Sequence, residues 1–237
     1  MGPLLSTQEQ ESQSKNVTQF KTQTFTKVDI LNETLFLLDW DDTLMCTSFI
    51  TKKKLSLTET ESKIVERLGV LVSAFLAKCK KLGTVIIITN SKESWVKKTA
   101  FDYMKISEQI LKDIYIISNR DIFANQDVSK KDWKKIVFVE LLEKYGKKIK
   151  NLICASDFPE DIEIFKDISK QHAKKNINIC TVKFKYNPSI IVMIKEIQTM
   201  TKNINELIYS NQNYSLYEEK EENESFSFGL LLDLFKF

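Results

Sequence analysis

The chain is short of the residues on which several large enzyme classes depend. Of its 237 residues only one is histidine, five are glycine and three are proline. A lone histidine, His172, argues against Ser-His or Cys-His nucleophilic catalysis. The four cysteines (Cys46, Cys79, Cys154 and Cys180) are scattered, with no C-x-x-C pair, so neither a zinc site nor a redox motif is indicated. Cys154 and Cys180 fall in apolar runs and are expected to be buried, reduced thiols. No apolar run is long enough to cross a bilayer, so no membrane association is expected. The net charge of +3 is too small to argue for nucleic acid, and no basic-aromatic stripe accompanies it. Residues 1–28 are rich in Gln, Ser and Thr, lack arginine and lack a hydrophobic centre, unlike a signal or transit peptide. Met1-Gly2-Pro3-Leu4-Leu5-Ser6 meets the loose myristoylation pattern, but Pro3 makes it a poor acceptor. A cytoplasmic location, free or within an assembly, is the default expectation.

What the chain does have is a regular alternation of elements. Apolar runs at 34–39, 84–88, 113–118, 150–154 and 178–184 are separated by helical patterns near 58–82, 92–105, 131–145, 159–173 and 188–208. This order predicts an α/β fold: a doubly wound, mostly parallel five-stranded sheet with helices on both faces. The punctuation agrees. Gly83 and Gly146 follow lysine-rich helix ends, Pro159 opens a helix, and Asn187-Pro188 reads as a cap followed by a first-turn proline. The domain is expected over 29–210, behind a disordered polar tail at 1–28.

The region 211–237 is expected to be an acidic linker followed by a docking segment. Between Glu218 and Glu224 the chain is acidic, and from Phe226 to Phe237 apolar residues occupy the even positions 226 to 234. That period of two suits an added strand, docked on its own domain or on a protein partner.

The most informative stretch is Leu35-Phe36-Leu37-Leu38-Asp39-Trp40-Asp41-Asp42-Thr43-Leu44, a buried-strand pattern ending in three carboxylates within four residues. Like charges so close repel, and at the end of a buried strand they call for a cation. In open α/β sheets that end is where ligands bind. A carboxylate pair one residue apart can supply a nucleophile, a proton shuttle and part of a Mg²⁺ site. The alternative is an acidic turn in which Asp42 and Thr43 cap the next element. The D-x-D-x-T-L pattern resembles the first signature of the haloacid-dehalogenase-like (HAD-like) phosphohydrolases, whose fold is Rossmann-like. Its Asp-Trp-Asp-Asp-Thr-Leu form resembles a protist and plant branch.

Three further stretches resemble that family in order. The second strand ends in Thr89-Asn90-Ser91, also an ordinary helix cap. Ser129-Lys130-Lys131-Asp132-Trp133-Lys134-Lys135 precedes the fourth strand, and the Trp-Lys-x-x-x-Phe arrangement through Phe138 selects Lys134, with Lys131 as its rival. The fourth strand leads into Ser156-Asp157-Phe158-Pro159-Glu160-Asp161, where Asp157 and Asp161 match the acidic pair and Ser156 stands where glycine is common.

The resemblance, which covers roughly residues 33–190, implies a Mg²⁺-dependent phosphatase acting through an aspartyl-phosphate. Asp39 would be the nucleophile and Asp41 the acid and base. Thr89 and Lys134 would hold phosphoryl oxygens. Asp39, the backbone carbonyl of Asp41 and Asp157, with help from Asp161, would form the metal site. The segments 46–57 and 91–134 leave no room for a cap domain, which by family analogy favours macromolecular phosphoesters, above all phosphoproteins. Asn119, Arg120 and Asp121 are placed at the edge of the site. The competing reading is a catalytically weak or inactive HAD-fold subunit of a larger assembly, held through the C-terminal segment.

Overall fold

The computed structural model describes residues 29–172, 177–210 and 213–216. The polar tail at 1–28, the acidic run and the 226–237 segment lie outside the described residues.

Six parallel strands form one sheet in the order β3-β2-β1-β4-β5-β6. They are β1 (Thr34–Leu38), β2 (Thr84–Thr89), β3 (Tyr115–Ser118), β4 (Asn151–Ser156), β5 (Asn178–Lys183) and β6 (Asn213–Ser215). The sheet has one strand more than the five expected. β6 is three residues, Asn-Tyr-Ser, and joins through its backbone, Val182 facing Tyr214 in register. So short an edge strand carries no period-two apolar signal.

The helices are α1 (Thr47–Lys52), α2 (Glu59–Leu82), α3 (Glu93–Lys98), α4 (Glu108–Leu111), α5 (Asn119–Phe123), α6 (Trp133–Tyr145), α7 (Pro159–His172) and α8 (Ile190–Ile208). A wider π-helical turn, Thr99–Tyr103, continues α3. α2 begins in a capping box between Thr58 and Glu61. α8 begins after Ser189, whose hydroxyl accepts from the Val192 N–H. The cap is thus Ser189 rather than Asn187, which instead turns the chain with a left-handed φ of 51°.

Side-chain alternation along the buried strands divides the core in two. Phe36 and Leu38 of β1 pack with α2, α3 and α8 on one face; Leu35 and Leu37 pack with α6 and α7 on the other. All four cysteines are buried free thiols, and burial pushes the Cys46 and Cys180 thiols up to about 12. Gly69, in the middle of α2, is required by close approach: a Cβ there would lie 1.9 Å from the Met104 carbonyl oxygen. Among the described residues no helix is long and apolar enough to cross a membrane.

The chain runs outward from β1 to β2 and β3, then returns to β4 on the other side of β1. This reversal opens a crevice at the carboxyl ends of β1 and β4, the place where doubly wound sheets bind ligands.

Candidate active site

Asp39 sits immediately beyond β1, its N–H extending the ladder to the Ala155 carbonyl of β4 at 2.9 Å. One of its carboxylate oxygens accepts from the Trp40 N–H at 2.7 Å. The other accepts from the Lys134 ammonium at 2.6 Å. Lys134 also pairs with Asp161, so one buried lysine bridges two buried carboxylates.

Lys134 faces inward because it lies on the apolar stripe of α6. Val137, Phe138 and Leu141, three, four and seven residues on, are all buried. Trp133 fixes the start of that helix, donating to the Val128 carbonyl at 3.1 Å and stacking near Phe123. Lys130, Lys131 and Lys135 are exposed. The structure therefore brings Lys134, not its rival Lys131, to Asp39.

Ser156 closes the same cluster. Its hydroxyl accepts from the Phe158 N–H at 3.2 Å and lies 2.7 Å from Asp161 and 3.1 Å from Asp39. With one proton to give, it donates to one carboxylate at a time. Its backbone is not in the left-handed region, so this turn does not require the glycine common in the family.

Asp157 follows β4. Thr43 serves it twice, accepting from the Asp157 N–H at 2.9 Å and donating to its carboxylate at 3.2 Å. Burial, reinforced by the charges of Asp39 and Asp42, pushes the Asp157 carboxyl up to about 8. Burial likewise raises Asp39 to about 6, against the pull of Lys134. Both shifts have the same leading cause, loss of hydration on burial, and the neighbouring carboxylates add to it.

Asp41 points the other way, towards the end of β2. One oxygen accepts from the Thr47 hydroxyl at 2.6 Å and the Trp95 indole N–H at 2.9 Å. The other accepts from the hydroxyls of Thr89, at 3.0 Å, and Ser91, at 2.7 Å. The sequence marked Thr43 only as a motif or capping residue, and it gave no role here to Thr47, Ser91 or Trp95. Ser91 stood in the strand-end triplet, whereas Thr47 and Trp95 reach Asp41 only through the fold. Asp42 does what the acidic-turn reading expected: it accepts from the backbone and hydroxyl of Ser48 at the start of α1. Trp40 is fully buried in the core and donates to the Thr99 hydroxyl at 2.9 Å, a packing residue.

Among the described residues no three His, Cys, Asp or Glu side chains form a ready metal cage. Mg²⁺ does not need one, since it binds through one or two carboxylates and retains waters. Asp39 and Asp157, hard oxygen donors with excess negative charge, fit such an ion. Asp161, expected to help, is engaged by Lys134 and Ser156, and the four donors on the Asp41 carboxylate do not involve its backbone carbonyl, the expected ligand atom.

The rim is built from short pieces. α1 and its flanks are all that stands between β1 and α2, so no cap domain covers this edge. On the β5 side Phe158 and Tyr186 are exposed, with ring centroids 5.9 Å apart. On the β3 side Asn119 donates to Asn90 at 2.9 Å, Arg120 to the Asn90 carbonyl at 3.2 Å, and Asp121 accepts from the Glu93 N–H at 2.9 Å. The three edge residues thus brace the β2 and β3 strand ends.

The sequence pattern of the NLI interacting factor-like phosphatases matches residues 34–170, more than half of the chain and every residue of the site above except the rim residue Tyr186. The chain belongs to this family. It is thereby a member of a HAD-like phosphatase family, in keeping with its parallel sheet and capless site. Comparison with curated proteins and with solved structures gives no match.

Proposed function

We propose that the chain is a phosphomonoester hydrolase acting through an aspartyl-phosphate on a phosphoprotein, with Mg²⁺ as its cofactor. The observation that carries this reading is Asp39 at the end of β1 with the Lys134 ammonium at 2.6 Å. A carboxylate held beside a fixed cation at an open strand end suits attack on a dianionic phosphate.

In this reading an Asp39 carboxylate oxygen attacks phosphorus and the ester P–O bond breaks. The leaving oxygen takes its proton from Asp41. Water then attacks the aspartyl-phosphate, Asp41 takes the water's proton, and the P–O bond to Asp39 breaks to release phosphate. Lys134, with Thr89 at the neighbouring strand end, neutralises and orients the transferring oxygens. When bound by Asp39 and Asp157, Mg²⁺ would supply the remaining positive charge.

The surroundings of Asp41 suit a proton carrier. The Thr89 and Ser91 hydroxyls on one oxygen can turn and accept, so a proton placed there keeps its partners. The Trp95 indole only donates, which fixes the other oxygen as an acceptor.

The test is Mg²⁺-dependent hydrolysis of an aryl phosphate and of phosphopeptides by wild type and Asp39→Asn. Turnover by wild type and its loss in the variant are expected. Full turnover by Asp39→Asn would overturn the assignment. A folded, inert wild type would favour the inactive-subunit reading, whose docking segment at 226–237 lies outside the described residues.

A further inference from the structure

A cavity of ≈ 400 Å³ opens beside the site on its β2 and β3 side, lined by Ser91, Lys92, Ser94, Trp95, Lys98 and Arg120. Two of these residues, Ser91 and Trp95, also hold Asp41, so the cavity and the reacting centre share a wall.

Its charge is unbalanced. Lys92, Lys98 and Arg120 line it, and among the described residues none of the three forms an ion pair. The nearby acids offset this only in part. Glu93 pairs with Lys97 at 2.6 Å, whereas Asp121, which accepts from the Glu93 N–H at 2.9 Å, lies near enough to Lys92 and Arg120 for their charges to help lower its carboxyl, so one acid faces three cations. Arg120 donates its Nε to the Asn90 carbonyl, which positions the guanidinium and leaves its terminal N–H groups available. Ser94 adds a hydroxyl and Trp95 an aromatic wall.

Nothing in the chemistry proposed for Asp39, Asp41 and Lys134 needs three further cations. None of the three pairs with the Asp39 cluster, which already has its own lysine. Three cations around a hollow next to a phosphate-processing centre suit a second anion on the same substrate.

We propose that this cavity is a second-phosphate site, so that the substrate is a phosphoprotein segment carrying two phosphorylated residues. One phosphate occupies the Asp39 centre while the other is held by Lys92, Lys98 and Arg120. This specificity rests on the phosphatase reading above, whereas the anion site itself can be judged without turnover.

The experiment measures binding by fluorescence anisotropy in the Asp39→Asn background, using the full chain at one salt concentration. The probes are labelled peptides with one phosphoserine, or with two at increasing separation. Two charge reversals are compared: Lys92→Glu with Lys98→Glu, and as a control Lys147→Glu with Lys148→Glu. The control pair lies in the α6–β4 connection, at the opposite end of the sheet. Charge-assisted bonds to a second phosphate should make the best doubly phosphorylated peptide bind about tenfold more tightly than the singly phosphorylated one. That advantage is expected to persist in the control and vanish in the cavity variant.

Absence of the advantage in the parent, its survival in the cavity variant, or equal loss in both reversals would each overturn the proposal. Wild-type hydrolysis of an aryl phosphate is scored separately. Failure there removes the phosphatase reading and leaves the binding result to decide the cavity.

Discussion

The Lys134 ammonium donates to Asp39 at 2.6 Å across 95 positions of sequence, and reaches Asp161 with the same atom. Three elements meet there: the end of β1, the first turn of α6 and the first turn of α7. The fold thereby offsets the repulsion that the first motif creates. Removing this one cation leaves two buried carboxylates facing each other, a loss that typically costs about 3–5 kcal/mol.

Lys134→Met should therefore lower both stability and turnover, the latter by about a hundredfold or more. Lys131→Met should behave as wild type, because that residue is exposed. Thermal melting and aryl phosphatase rates of the two variants check this. Equal losses in both would contradict the placement of Lys134.

Trp95→Phe removes the one partner of Asp41 that can only donate, while keeping most of the ring's bulk. The carboxyl should lose its fixed orientation, and kcat should fall by about tenfold with little change in melting temperature. Ser91→Ala makes the complementary change at the other oxygen. Steady-state kinetics at several pH values would separate the two effects, and unchanged kcat in both variants would exclude Asp41 as the proton carrier.

Metal-free stability should fall as pH rises. Asp39 and Asp157 have folded values raised to about 6 and about 8, above the ordinary carboxylate value. A raised carboxyl value means the folded state holds protons that the unfolded state has released, so stability declines with pH across that interval. The cost is absent below the unfolded value, near 4, and complete above about 8. Melting temperatures in EDTA from pH 5 to 8.5 should trace the decline, and Asp157→Asn should flatten its upper part. Added Mg²⁺ should raise the melting temperature most at the alkaline end, where both carboxylates are charged.

Gly69→Ala should destabilise the fold although alanine favours helix. The new methyl would meet the Met104 carbonyl at 1.9 Å, closer than any relaxation of one side chain can cure. Overpacking of this kind costs about 1–3 kcal/mol, more than the helix propensity gained. A melting temperature at or above wild type would show that the π-helical turn can move away from α2.

Much of this protein could be read directly from its residues. The five long apolar runs became five of the six strands, because strands buried on both faces must be apolar at nearly every position. Asp39, Thr89 and Asp157 were found at strand ends because abrupt changes from apolar to polar residues mark where a buried strand leaves the core. Lys134 was legible through the resemblance of Trp133-Lys134-x-x-x-Phe138 to a family motif, while its burial on the α6 stripe was set by the fold.

Tertiary structure decided the rest. β6 joins the edge through backbone pairing with β5, and its three residues carry no pattern. Thr47, Ser91 and Trp95 converge on Asp41 from two separate helices and a loop, which no spacing in one dimension records. The partners of Asp161 and the left-handed turn at Asn187 arise in the same way. Local pattern specifies which residues must be buried and where strands stop, because burial and backbone geometry act over a few residues. Which side chains then share a proton, a cation or a cavity depends on distances closed by packing the whole sheet, and only the folded chain sets those.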